Sequence, residues 1–155
     1  VRVVIAAVGV PRREPLGVAI RDYENRAARY WPLEIREVRE ESARATSPDL
    51  VRAREAQRLL ARAGDRGRVV ACDERGILMQ TREFAEWLQG ERELASHDVV
   101  FMLGGAYGLG DAVLGKADMQ LALARWTMSH DLARLVLVEQ LYRAGTLLRG
   151  EPYHK

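Results

Sequence analysis

The chain of 155 residues is poor in several things at once. It has one cysteine, Cys72, two phenylalanines and five prolines. A lone thiol excludes an internal disulfide framework and fits a reducing cytoplasm. No apolar run approaches the roughly 18 residues that a membrane helix needs. The apolar start runs on into AAVGVPRREP, which lacks the h-region and cleavage site of a secretory leader. Its first residue, Val1, is what a GUG start codon translated literally would leave. Cys72, His97, His130 and His154 share no metal-ligand spacing, so no metal is expected. Lysine is nearly missing: 22 of the 24 basic residues are Arg, leaving Lys116 and Lys155. Guanidinium suits bidentate phosphate contacts, but a G- and C-rich genome produces the same bias. A net charge of +2 is too small to define a nucleic-acid binder by itself.

What is present is the composition of an ordinary globular protein, 48% apolar and 30% charged. The length suits one domain, and area scaling lets about 69% of the unfolded surface be buried. There are no repeats or low-complexity stretches. RVVIAAVGV, residues 2–10, is β-branched, continuous and ended by Pro11, which predicts a strand buried on both faces. Leu16, Ile20, Tyr23 and Ala27 are spaced for a helix over 16–30. Residues 33–39 alternate imperfectly, as a strand near an edge does. Ser47-Pro48 predicts a helix start, and Gly64 its end. RVVACD, residues 68–73, is a second buried strand, closed by a turn at Asp73-Glu74-Arg75-Gly76. A helix begins at Thr81, where the acid of a capping box is displaced. VVFML, residues 99–103, is a strand leading into Gly104. A short helix near 111–117, a strand near 120–127 and a long helix over 131–148 complete the chain. Strands apolar on both sides that alternate with helices define an α/β fold, a mostly parallel sheet with helices on both faces.

Four segments carry candidate chemistry. GGAYGLG, Gly104 to Gly110, follows a strand directly, and its glycines allow backbone to approach a ligand closely. It is neither a dinucleotide fingerprint nor a P-loop, because the spacing, the distal acid and the Gly-Lys-Ser/Thr are all missing. The rule that α/β sheets bind ligands at the carboxyl ends of strands still favours ligand contact over a plain turn. LARWTMSH, residues 123–130, offers Arg125, Trp126 and His130 to a pocket; the plainer reading makes Trp126 core and His130 a helix start. The helix DLARLVLVEQLYRAGTLL is apolar nearly all round, so it requires cover on two sides, a second subunit being one source. Its Glu139 and Arg143 stand in the favourable i,i+4 order. The ending RGEPYHK places a ring, an imidazole and a cation within three residues.

Taken together, VVFMLGGAYGL, ARWTMSH, RLVLVEQLYRAG and RGEPYHK resemble, in order and spacing, the RlmH family of ribosomal large-subunit pseudouridine N3-methyltransferases. These are small members of the trefoil-knotted SPOUT class. The resemblance covers essentially the whole chain, and it is the combination of four motifs that makes it specific. It implies a single SPOUT-type domain over 1–155, with a knotted cofactor region at about 68–148 and a tail at 149–155. It implies an S-adenosylmethionine site built by Cys72, Gly104, Gly105, Gly108 and residues 124–129, that is Ala124, Arg125, Trp126, Thr127, Met128 and Ser129. The chain departs from the family at Cys72, commonly Leu; at Ser129, usually Pro; and at Ala106-Tyr107, usually more polar.

The resemblance also implies that Arg143, Tyr153, His154 and Lys155 face RNA and carry the reaction. The partners implied are a second copy of the chain and 23S ribosomal RNA in the large subunit or whole ribosome, with no membrane and no metal. N3 of pseudouridine carries a proton, so transfer needs a base or a cation that favours the anion. Histidine titrates near neutrality, which suits His154 as base; Arg143 or Lys155 would favour the anion, and Tyr153 would stack the base. The alternatives are a SPOUT-type enzyme acting on transfer RNA and a ribosome-binding protein without catalysis.

Overall fold

A computed structural model describes residues 1–11, 14–42, 44 and 47–155. Five strands form one parallel sheet: β1 (Val3–Val8), β2 (Leu33–Val38), β3 (Gly67–Ile77), β4 (Asp98–Leu103) and β5 (Met119–Leu121), in the order β2-β1-β4-β3-β5. The register runs from Val3 opposite Leu33 to Val8 opposite Val38, and from Val3 opposite Val99 to Ala7 opposite Leu103. Side chains alternate across a strand, so each buried strand serves two cores. Val3, Ile5, Ala7, Val99, Phe101 and Leu103 pack beneath α1 (Leu16–Ala27), α3 (Thr81–Leu94) and α5 (His130–Leu148). Val4, Ala6, Val8, Val100 and Met102 pack on the other face beneath α2 (Pro48–Leu60) and α4 (Asp111–Lys116). This is why the central strands read as unbroken apolar runs, and β2 is an edge strand as its weaker pattern implied.

Three local expectations need correction. Residues 73–76 do not end β3: the strand continues to Ile77, with a register shift between Cys72 and Ile77 where it pairs with β5. Arg75 folds back on Asp73 at 2.9 and 3.0 Å inside that irregular stretch. The strand expected over 120–127 is only three residues long, because the chain leaves the sheet after Leu121. The capping acid of α3 is in place once Gln80, not Thr81, is taken as the cap: Gln80 N–H donates to Glu83 Oε2 at 2.7 Å.

α5 lies against α1 and α3, and Trp31 Nε1 donates to the Leu141 carbonyl at 2.8 Å in the buried seam. One charged residue belongs to its buried stripe. Arg134 donates to Glu24 Oε1 at 2.9 and 2.7 Å and to Glu37 Oε2 at 3.0 Å, fixing the start of α5 to α1 and the edge strand.

Candidate active site

A cleft of about 500 Å³ opens at the carboxyl ends of β3, β4 and β5, where ligands bind in open α/β sheets. Three segments wall it: residues 72–75 from β3, residues 103–109 after β4, and residues 123–128 after β5, with His130 and Ala133 of α5 and Arg52 of α2. Eight of the ten residues expected to form the cofactor site meet here: Cys72, Gly104, Gly105, Gly108, Ala124, Trp126, Thr127 and Met128.

The other two shape the wall instead. Arg125 Nη1 donates to the carbonyls of Glu74 and Gly76 at 2.8 and 2.7 Å. Thr127 Oγ1 donates to Glu74 Oε2 at 2.7 Å, so the loop after β5 is tied to β3 on both sides of Trp126. Ser129 caps α5 by accepting from Leu132 N–H at 3.4 Å, and so it starts the helix where its relatives are expected to carry Pro. Trp126 is not core: at 86% exposure it stands out from the cleft wall.

The glycine loop is compact because two of its positions tolerate no side chain. A Cβ on Gly104 would fall 2.4–2.7 Å from the backbone of Gly108 and Leu109. Gly108 itself has φ +80° and donates its N–H to the Gly105 carbonyl at 3.0 Å. Arg52 reaches the Tyr107 carbonyl from α2 at 3.5 Å. Burial pushes the Cys72 thiol up to about 12, with Asp73 adding to the shift, so at neutral pH it is a small apolar wall and no thiolate. The bonds from Arg75 hold the Asp73 carboxyl below the usual range. Arg52, Asp73, Glu74 and Asp111 were not foreseen as lining residues. Only the polar run DER in an otherwise apolar strand signalled any of them.

Two of the four expected catalytic residues, Arg143 and Tyr153, form a second cluster with Glu139 and Tyr23. Arg143 Nε and Nη2 donate to Glu139 Oε1 at 2.9 and 2.7 Å, and its guanidinium lies 4.7 Å from the centre of the Tyr153 ring. Tyr153 donates its hydroxyl to the same Glu139 oxygen at 3.1 Å and stands 3.3 Å from the Tyr23 hydroxyl. Burial, with the hydroxyl of Tyr23 and the charge of Glu139, raises the Tyr153 phenol, which stays protonated. His154 is half-buried, and its Nδ1 is enclosed without a partner; Lys155 is exposed. None of Arg143, Tyr153, His154 and Lys155 lines the cleft. Ala133, the cleft-lining residue of α5 nearest to Arg143, lies ten positions before it, which is about 15 Å at a helical rise of about 1.5 Å per residue.

Solved structures share this architecture. A probable methylase family protein from Haemophilus influenzae matches with a TM-score of 0.58 at 14% identity, covering 99% of this chain and 70% of that one. TrmJ from Z. mobilis matches with a TM-score of 0.51 at 15% identity, covering 94% and 70%. At such identities the likeness shows the class of fold alone, a parallel α/β sheet flanked by helices. The sequence carries the assignment further. The family described as "Predicted SPOUT methyltransferase" matches residues 1–154. A ribosomal RNA large subunit methyltransferase H from Gemmatimonas aurantiaca is 55% identical over 154 residues, 99% of each chain. One from an Anaeromyxobacter species is 48% identical, again over 99% of each. The chain belongs to this RlmH family of SPOUT methyltransferases.

Proposed function

We propose that this protein transfers a methyl group from S-adenosylmethionine to N3 of a pseudouridine in 23S ribosomal RNA, in the cytoplasm, on the large subunit or the assembled ribosome, as a homodimer. The observation that carries the reading is the convergence of eight residues from three separate segments on one cleft at the carboxyl edge of the sheet. Membership in a family whose relatives bear the name ribosomal RNA large subunit methyltransferase supports the choice of substrate.

The cleft fits the cofactor in kind. Its volume of about 500 Å³ lies in the range for small-molecule sites. Glycines with no room for a Cβ leave backbone edges to face a nucleoside. Gly104, Gly105 and Gly108 would take one side of it; Cys72, Ala124, Trp126, Thr127 and Met128 would take the other. When bound, S-adenosylmethionine supplies a methyl group on a sulfonium, open to in-line attack.

The chain's own task is to present N3 without its proton, and orientation contributes much of the acceleration. His154 accepts the proton, and the enclosed lone Nδ1 leaves Nε2 as the outward nitrogen for that work. Arg143 uses Nε and Nη2 on Glu139, so Nη1 remains to favour the anion that develops on the flanking carbonyls. Tyr153, held by Glu139 and Tyr23 and packed against Arg143 and Tyr142, would border the unstacked base, and Lys155 adds a cation at the exposed end. Because Arg143 stands about 15 Å along α5 from the cleft, the two clusters would make one site when the tail of a second copy closes over the cleft.

The test is transfer of labelled methyl to ribosomes lacking the modification, with uridine or pseudouridine at the target. Label in the pseudouridine-containing large-subunit RNA alone supports the reading. Label in transfer RNA, or cofactor bound with no label on either RNA, overturns the substrate. His154→Ala is expected to bind cofactor and transfer nothing; unchanged turnover removes it as the base. A monomeric mass in solution overturns the shared site.

A further inference from the structure

The glycine loop has a neighbour that the reaction as described does not use. Glu55, in the middle of α2, is 2% exposed. Its Oε2 accepts the Glu41 N–H at 3.0 Å from the loop that follows β2. Its Oε1 is enclosed and has no hydrogen-bond partner among the described residues. That oxygen lies against the glycine loop: a Cβ on Gly105 would be 2.9 Å from Oε1 and 3.2 Å from Oε2, with Val8 Cγ1 at 3.0 Å. On the loop side, Gly105 and Gly108 form an antiparallel bridge in which Gly108 N–H donates to the Gly105 carbonyl, while the N–H groups of Ala106 and Tyr107 donate to no backbone carbonyl among the described residues. An enclosed carboxylate oxygen without a donor costs free energy, and here it faces a stretch of chain that has donors free. The groups around Glu55 are Glu40 and Glu41 from the loop after β2 and Arg58 from its own helix; the glycine loop and β1 present nothing charged to it.

We propose that Glu55 is the positioning residue of the glycine loop, its free oxygen taking the Ala106 or Tyr107 N–H in a settled form of the loop that the free protein samples and that ligand in the cleft favours. The inference rests on the cleft being the cofactor site. Gly105 is then required for a second reason besides access to the ligand, since any side chain would displace the carboxylate from the loop. The ionised form is the better acceptor, and burial raises the carboxyl from its ordinary value. Settling of the loop therefore weakens as the pH falls through that raised value, and the ligand in turn holds Glu55 ionised.

The experiment compares wild type with Glu55→Gln, which keeps the size and one acceptor; Glu55→Ala is included for comparison but need not fold. The first readout needs no ligand: the amide resonances of Ala106 and Tyr107 are followed against pH. They are expected to titrate in wild type and to stay flat in Glu55→Gln; flat resonances in wild type overturn the proposal. The second is the KM for S-adenosylmethionine, expected to rise about tenfold in Glu55→Gln. Its kcat at saturation and its melting temperature should stay near wild type, and its KM should lose the rise that wild type shows toward acid. An unchanged KM with an unchanged pH profile also overturns it. If wild type shows the amide titration but binds no S-adenosylmethionine, Glu55 still positions the loop and it is the assignment of the cofactor that fails.

Discussion

Replacing Arg134 by Met is expected to destabilise the protein by about 3 kcal/mol. Removing one partner of a buried ion pair costs about 3–5 kcal/mol, because the remaining charge stays buried without compensation. The Arg134 side chain is 5% exposed, and its two acceptors differ: Glu24 is 14% exposed, whereas Glu37, at 31%, keeps part of its hydration. Glu24 therefore bears most of the penalty, which places the cost at the lower end of that range. For a chain of this length, unfolding entropy scales so that about 3 kcal/mol corresponds to a fall in Tm of about 9 °C. Thermal and urea unfolding at neutral pH measure both quantities. Adding Glu24→Gln and Glu37→Gln to the Met variant removes the uncompensated charges and should recover at least half of the loss. A loss below about 1 kcal/mol in the single variant, or a triple variant no more stable than the single, would refute the claim that this triad anchors α5.

Gly104→Val should abolish cofactor binding by calorimetry and cost about 1–3 kcal/mol of stability by overpacking, since even its Cβ would collide with Gly108 and Leu109; binding at wild-type affinity would show that the loop can open there. Arg75→Met should raise the Asp73 pKa toward the ordinary value near 3.9. In wild type the depressed carboxyl contributes stability above that ordinary value, lost as the pH falls through the depressed one. Carboxyl NMR titration follows the shift, and an unmoved Asp73 would separate the two residues. Cys72, with its thiol pushed up to about 12, should resist iodoacetamide at pH 8 in the folded protein and react in urea. Mass spectrometry reads this out, and rapid labelling of the folded chain would contradict the burial.

The architecture was legible because strands buried on both faces leave continuous apolar runs, and Ser47-Pro48 marks its helix start by local chemistry alone. The glycine loop was legible as a cleft wall because it follows a strand directly; the segment after β5 offers itself to a pocket but overlaps the strand expected over 120–127, and its plainer reading makes Trp126 core. Features made by distant partners were not legible. Residues 73–76 look like a turn, and only pairing with β5 keeps them in the sheet. Arg125 looks available to a ligand until the carbonyls of Glu74 and Gly76, about fifty positions earlier, occupy it. Glu55 and Arg134 carried a usable signal: Val51, Glu55 and Leu59 fall on one helical stripe, as do Arg134, Leu137, Val138 and Leu141. A charge in register with a buried stripe indicates a buried charge.

The clasp that Arg125 and Thr127 make on Glu74 has a mechanical consequence. It joins the loop after β5 to β3, so those two walls of the cleft move as one piece with the sheet. The glycine loop is held from α2 by a longer contact, Arg52 to Tyr107, and by a carboxylate that has yet to take a donor. The cleft is thus a vise with one fixed jaw. If Glu55 positions the loop as proposed, substitutions on α2 that stiffen or slacken that jaw should change ligand exchange rates while leaving the opposite wall where it is.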